Sequence, residues 1–286
     1  MKIFEIRKVC SKKTSYHIFG KKILSLPNIY HKRYLPIYSQ PRFGVSYSIF
    51  DGEELLEASI SSIRSEVDYV NVVYQTISWH GNSCKESLVP LLKDLKNRGI
   101  IDELINWEPD LKKSSQLNEM EKRNAGLKAA KKAQVNYFMT MDCDQFYYKK
   151  ELEEAKKLIL KNNITHSYCA QILYGKRPTL RQISNHKCCY VQFFSKIDKF
   201  SQLGDNEFAP CLVDPTHKIL ERSHSKHYVL HNIFTHHMSL VRSDLKKKHI
   251  NSSGYQKNMK IDPDFDEMNN ENENFINVKN YFGIQI

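Results

Sequence analysis

In the stretch NYFMTMDCDQFYY, residues 136–148, an apolar run ends on two carboxylates placed two residues apart, Asp142 and Asp144. Residues i and i+2 of an extended segment point to the same side, so this pair is expected to aim together from the end of a strand. Two hard oxygen donors held side by side suit Mg²⁺ or Mn²⁺ bridged to the phosphates of a substrate. The spacing alone is a weak signal, and the chain carries its own control. IDPDFDEMNN holds Asp262, Asp264 and Asp266 with no strand-like run before them. With Glu273 these acids imitate a calcium-binding EF-hand loop, yet Glu267 stands where that loop needs Gly, so a solvated acidic tail is expected there. Context has to separate the two cases.

The elements that must position Asp142 and Asp144 can be read from period and punctuation. Phe43 to Phe50 alternate as a strand, and Asp51-Gly52 turns the chain. Leu55, Leu56, Ser59, Ile60 and Ile63 have helical spacing, and YVNVVYQTIS (69–78) is β-branched and apolar, predicting a second strand. A helix bearing Leu88, Leu91, Leu92 and Leu95 ends at Gly99, and DELINWEP supplies a short strand. Ser114 or Ser115 can cap a helix carrying Leu117, Met120 and Leu127, which leads into the strand that ends at Asp142. Such β-α alternation predicts an α/β fold with a mostly parallel sheet, whose ligands bind at the carboxyl ends of the strands.

The ordered combination is more specific than any one motif. NEMEKRNAGLKAAKKAQVNYFMTMDCDQFY (118–147) resembles the segment of family-2-like glycosyltransferases in which an Arg-Asn-x-Gly helix precedes an apolar strand ending in Asp-x-Asp, and VSYSIFDGEELLEASISSI resembles their opening strand and helix. The resemblance covers roughly residues 43–150. It implies a Rossmann-like mixed sheet flanked by helices, the glycosyltransferase type-A fold, as a single main domain. It further implies that Phe50, Asp51, Gln75, Arg123, Asn124 and Asp142 bind a nucleotide-sugar donor, and that Asp142 and Asp144 hold Mn²⁺ or Mg²⁺. FTHHMSLVRSDLKKK looks like the segment whose His completes metal coordination in many such enzymes, which brings in His236 or His237. Where many relatives end the second strand with Asp-Asp-Gly-Ser, this chain has VVYQTISWHG, so Gln75 would meet the base through its amide. UDP is the favoured nucleotide, and a glycan or lipid-linked molecule the acceptor.

Several residues have an ordinary alternative. Arg123 can equally pair with Glu119 four residues before it. Gly126 costs about 1 kcal/mol relative to Ala in a helix interior, which points to close packing or ligand approach. Arg242 and Lys246 to Lys248 can face a diphosphate or a solvated helix face. In an inverting transfer a carboxylate takes the proton of the acceptor hydroxyl, and QLGDNEFAP offers Asp205 and Glu207, with Asp214 a further candidate. Retaining chemistry stays open. Trp79, Phe146, Tyr147 and Tyr148 can stack on a base or sugar, or pack in the core.

Composition narrows the classes. At 286 residues and 41% hydrophobic content the chain can bury a full core, no run of 18 apolar residues exists, and the first residues lack the apolar stretch of a secretion signal, so a cytoplasmic protein is expected. Seven cysteines without CxxC spacing fit reduced thiols. Of the formal charge of +11, residues 1–42 hold ten basic side chains against Glu5 alone, and the body is close to neutral. The basic residues 1–42 are therefore read as an arm. Ile3, Phe4, Ile6 and Val9 would give it a short apolar helical stripe able to rest on the inner face of a membrane, or it is simply solvated. The expected organisation is this arm, a catalytic domain over 43–250 (a nucleotide-sugar half, 43–145, and an acceptor half, 146–250) and an acidic tail over 251–286. A non-enzymatic membrane- or nucleic-acid-binding protein using the arm, and an α/β metal-dependent phosphohydrolase, are the competing classes, although the near-neutral body argues against a nucleic-acid partner.

Overall fold

The computed structural model describes residues 4–10, 13–18, 21–27, 40–183, 190–204, 209–220, 225–252 and 275–285. The chain divides into two units, Met1–Pro41 and Arg42–Ile286. In the first, β1 (Phe4–Cys10), β2 (Lys13–Ile18) and β3 (Lys21–Pro27) form an antiparallel sheet in that order. The helical stripe expected of residues 3–9 is thus corrected to a strand. Ile and Val favour extended backbone, and the next segment is close enough along the chain to pair with it, Phe4 opposite Ile18.

The second unit is built on an eight-stranded mixed sheet flanked by helices, the α/β class expected. Its first half is β4 (Phe43–Ile49), β5 (Tyr69–Tyr74), β6 (Glu103–Asn106) and β7 (Tyr137–Asp142), all parallel and in the order β6-β5-β4-β7. β4, β5 and β7 are buried along almost their whole length, as strands covered on both faces are, while β6 at the edge is only partly buried. The connecting helices are α1 (Glu53–Ile63), α2 (Leu88–Asn97) and α3 (Ser115–Lys132). α2 buries Leu88, Leu92 and Leu95 at helical spacing. α3 is capped by Ser114, whose side chain accepts from the Leu117 N–H at 3.2 Å.

Past β7 the sheet turns mixed. A tight turn leads to β8 (Gln145–Phe146), α4 (Lys149–Lys161) follows, and β9 (His166–Leu173), β11 (Tyr190–Lys196) and β12 (His227–His237) complete the order β7-β11-β9-β12-β8. β11 runs antiparallel to β7 and β9, whereas β12 runs parallel to β9 and antiparallel to β8. The short α5 (Leu245–Asn251) comes after β12. Part of the expected tail needs correction as well. β13 (Phe275–Asn277) pairs with β10 (Leu180–Gln182), and Ile284 is buried beside Leu55, Phe146 and Tyr174. Phe282 packs on Phe146 and Tyr148, so the apolar residues at the end of the segment override its acidic composition. The EF-hand-like acids 262–273 lie outside the described residues.

Close approach of α3 to the sheet explains Gly126. A Cβ built there would stand 1.9 Å from Ser46 Oγ and 3.1 Å from Asn71 Oδ1. Both polar side chains are buried and tied together: Ser46 Oγ donates to Asn71 Oδ1 at 2.6 Å, and Asn71 Nδ2 to the Gly126 carbonyl at 3.0 Å. Gly126 therefore serves packing. Gly126→Ala should destabilise the protein by about 1–3 kcal/mol despite the better helix propensity of Ala; a urea midpoint equal to or above that of the parent would show that α3 can move away from β4.

Candidate functional site

In an open sheet of this kind the crevice for ligands lies where the strand order reverses. Here that point falls between β4, from which the chain moves outward to β5 and β6, and β7, which returns to the other side of β4. A cavity of about 210 Å³ opens at the carboxyl ends of these two strands, lined by Phe50, Asp51, Asp142, Asp144 and, from the C-terminal half, His237 and Arg242. Trp79, Lys122 and Lys248 complete much of the wall.

Asp142 and Asp144 both reach this cavity, by a different route from the one expected. Asp142 is the last residue of β7, but Cys143 and Asp144 form the turn into β8, so the pair does not sit on one extended segment. Their partners differ accordingly. Asp142 is about one-third exposed and accepts from Arg123 Nη2 at 2.9 and 3.2 Å. Asp144 is buried, with Oδ2 held by Arg242 Nη2 at 2.6 Å and Lys248 Nζ at 3.4 Å, while Oδ1 faces His237 Nε2 at 3.4 Å. Burial by itself would raise the pKa of Asp144; the interactions with Lys248, His237 and Arg242 outweigh it and hold the carboxyl well below the usual range.

Arg242 is the hinge of this arrangement. It also reaches Asp51 Oδ1 at 3.2 Å, and its guanidinium lies against Gly52, where a Cβ would stand 1.6 Å from Nη1. Gly52 has φ +78°, so glycine meets both a left-handed backbone and this close approach. Asp51 nonetheless titrates above its ordinary value, because burial costs its charge more than Arg242 returns. Lys248 is delivered by α5, whose N-terminus is capped by Asp244, accepting from the Lys247 N–H at 2.8 Å.

His237 and His236 part company, since consecutive residues of β12 face opposite sides of the sheet. His237 turns to Asp144, and its Nδ1 meets the Gln171 amide. His236 is buried on the other side, hydrogen-bonded through Nδ1 to Tyr174 Oη at 2.9 Å and packed on Tyr148 and Phe282. Burial and the nearby Arg181 push it down to about 4, so it is neutral near pH 7. His236 is therefore placed in the core and not among the candidate ligands.

Other candidates are redistributed in the same way. Arg123 is fully buried behind Asp142, bonded to Glu119 Oε1 at 2.7 Å and Thr140 Oγ1 at 3.0 Å, and does not line the cavity. Asn124 pins the chain after β11 to α3, accepting from the Leu203 N–H at 2.8 Å and donating to its carbonyl at 3.0 Å. Gln75 is buried with Nε2 on the Ile77 carbonyl at 2.8 Å and is not on the cavity wall. Phe50 and Asp51 are on it. Of the aromatic candidates Trp79 lines the cavity, while Phe146 and Tyr147 are core residues. Asp205 and Glu207 lie outside the described residues.

A second cavity of about 570 Å³ adjoins the first, sharing Glu119, Asp142 and His237 with it, and is walled further by Gln145, Gln171 and Asp214. Glu119 and Asp142 are occupied with Arg123, whereas the exposed Asp214 accepts from the Thr216 N–H and Oγ1, each at 2.8 Å, and is held below its ordinary value by His217 and these hydrogen bonds. His217 is buried and neutral-leaning because burial and Arg123 disfavour its charge. Sequence patterning passed over Lys122 and His217, and it did not distinguish Lys248 from Lys246 and Lys247. α3 buries Asn118, Lys122 and Arg123 along with Leu127, and Leu117 is exposed, so its inward face carries no hydrophobic stripe to read.

No group of three or more His, Cys, Asp or Glu side chains is arranged to hold a metal among the described residues. A two-donor site is nevertheless present. Asp144 Oδ1 is a buried oxygen without a hydrogen bond of good geometry, and it converges with an imidazole nitrogen. Mg²⁺ and Mn²⁺ are bound through one or two protein groups plus substrate phosphates, so this donor set fits such an ion. Gln171 turns its Nε2 amide toward His237 Nδ1, which then accepts; for His237 Nε2 to be a ligand this amide must turn over so that its carbonyl oxygen accepts the proton on Nδ1.

No family model matches the sequence, and no curated protein matches it. Among solved structures the chain is similar to S. aureus TarS 1–349, at 15% identity over 48% of this chain and 37% of that one, with a TM-score of 0.36. It is similar to the same protein in complex with UDP and with UDP-GlcNAc, each with a TM-score of 0.35. The overlap thus spans little more than a third of those chains, and a likeness of this extent says nothing about chemistry. No described helix is long and apolar enough to cross a membrane.

The Asp144 ion-pair cluster makes a prediction for stability. Asp144→Asn leaves Arg242 and Lys248 short of a buried counter-charge and should cost about 3 kcal/mol at pH 7. Because the folded carboxyl titrates below its unfolded value of about 3.9, the wild-type advantage is present in full above that value and fades as the pH falls through the folded one. Urea unfolding of both proteins in chelator at pH 7 and pH 3 checks this; a difference that stays constant or grows toward pH 3 would contradict it.

Proposed function

We propose that this chain is a glycosyltransferase that moves a sugar from a nucleotide-diphosphate donor, with UDP favoured, to a hydroxyl of a glycan or lipid-linked acceptor. The observation that carries the reading is the meeting, at the carboxyl ends of β4 and β7, of a buried carboxylate and an imidazole with the cations Arg242 and Lys248. Asp144 and His237, with Asp142 beside them on the cavity wall, would hold Mn²⁺ or Mg²⁺. Such an ion, when bound, neutralises the charge that builds on the departing diphosphate.

The remaining roles belong to the chain itself. Arg242 and Lys248 face the phosphates as fixed donors, already oriented by Asp51 and Asp144. Asp142 keeps its place at the junction of the two cavities because Arg123, itself clamped by Glu119 and Thr140, holds one edge of it. The acceptor occupies the second cavity, whose amides from Gln145 and Gln171 suit hydroxyl groups. A carboxylate there takes the proton of the attacking hydroxyl in an inverting transfer, and Asp214 joins Asp205 and Glu207 as a candidate for it.

The test is release of free nucleotide from a panel of UDP- and GDP-sugars, with Mn²⁺ or chelator, paired with a calorimetric titration of UDP. Release from one donor that needs both the metal and Asp144, falling at least 100-fold in Asp144→Ala, is the expected outcome. If no nucleotide or nucleotide sugar binds in the presence of Mn²⁺, the assignment fails.

A further inference from the structure

The proposed donor cavity holds a cation that the roles above leave unused. Lys122, on α3, is 1% exposed, yet it lines the cavity. Its ammonium donates to the carbonyl of Ile49, the last residue of β4, at 2.8 Å, and lies 5.6 Å from the centre of the Trp79 ring. A lysine has three N–H donors, and the described residues supply this one acceptor and an aromatic face. The nearby carboxylates Glu119 and Asp142 are engaged by Arg123, and no described carboxylate lies within ion-pair distance of Lys122. Burial pushes Lys122 down to about 7, and in either protonation state its nitrogen keeps N–H donors beyond the one that Ile49 accepts, so the site can receive a further acceptor atom.

The cavity has two ends that differ in their contacts. Arg242 and Lys248 converge on Asp144 Oδ2 at 2.6 and 3.4 Å, whereas Lys122 is bonded to the Ile49 carbonyl and faces Trp79. Phosphates are therefore already provided for at the Asp144 end. The other end pairs a flat indole with a buried N–H donor, a combination suited to a planar ring that bears a carbonyl oxygen.

Resting on the glycosyltransferase reading, we propose that Lys122 recognises the nucleoside half of the donor, donating to a carbonyl oxygen of the base beside Trp79. A uracil offers such an oxygen; an adenine presents an amino group there instead and is selected against. Lys122 is then a specificity-determining residue, separate from the groups that hold the diphosphate.

The experiment is isothermal titration of the full-length protein with UDP, ADP and inorganic pyrophosphate in Mn²⁺, for the wild type and Lys122→Met, which keeps the length of the side chain and removes its donors. Lys122→Gln serves if the Met variant fails to fold by circular dichroism. The expected result is a loss of UDP affinity of about tenfold or more, pyrophosphate affinity unchanged within about twofold, and collapse of the preference for UDP over ADP. Equal losses for UDP and pyrophosphate, no loss for either, or a wild type indifferent to the base would overturn the role of Lys122 while leaving the donor reading intact. Wild-type protein that binds none of the three would remove the donor reading itself.

Discussion

An ionised carboxylate cannot be buried without cations to meet it, and the burial of Asp144 is the condition that the C-terminal half of this fold is arranged to satisfy. The turn between β7 and β8 carries Asp144 into the interior, and its partners come from 98 and 104 residues further along the chain. Arg242 joins it to Asp51 at the end of β4, Gly52 leaves room for the guanidinium, and α5 supplies Lys248. One side chain thereby ties together the ends of β4, β7 and β12 and fixes where the segment after β12 must lie. His236, on the opposite face of β12, anchors the same strand through Tyr174 and Phe282, so the position of His237 is set from both sides of the sheet.

Asp142 is handled by a different part of the chain. Its partner Arg123 sits on α3 and is clamped by Glu119 and Thr140, and His217, from the chain after β11, stands 3.7 Å from Asp142 Oδ2. Gly126 sets how closely α3 lies on β4 and β5, and hence where Lys122 and Arg123 stand relative to the strand ends. The cavity therefore has one wall assembled from contacts within about 100 residues and another that forms only when residues 237–248 have docked.

This division accounts for what could be read from the sequence. The parallel strands and α1 to α3 were legible because each carries local period, a cap or a turn residue: Ser114 and the leucines of α2 are where the pattern puts them. Asp142 and Asp144 were legible as a pair because an apolar strand runs straight into them. The partners of Asp144 were not, since nothing local in SLVRSDLKKKH distinguishes Arg242 and Lys248, which reach Asp144, from Lys246 and Lys247. Asn124 and Arg123 matched a motif but turned inward, because the helix face they occupy is the one that packs on the sheet. Lys122 was invisible for the same reason: a buried polar stripe leaves no hydrophobic period to detect. The C-terminal residues were misjudged because a mean over acidic composition hides Phe282 and Ile284.

The charge balance of the site bears on how it would work in the proposed transfer. Arg242 and Lys248 can give their full charge to Asp144 or to an incoming diphosphate, not to both. A diphosphate drawn to these cations weakens their hold on Asp144 and leaves a buried carboxylate under-compensated. Asp144 Oδ1 and His237 Nε2 would hold a divalent ion on the edge of the carboxylate that Arg242 and Lys248 do not occupy, and its charge would restore that compensation. Metal and diphosphate should then favour each other's binding, by linkage and without any change of fold. Gln171 is coupled to the same balance: with its Nε2 against His237 Nδ1 the ring proton lies on Nε2, and turning the amide over would place the proton on Nδ1 and free Nε2 for an ion.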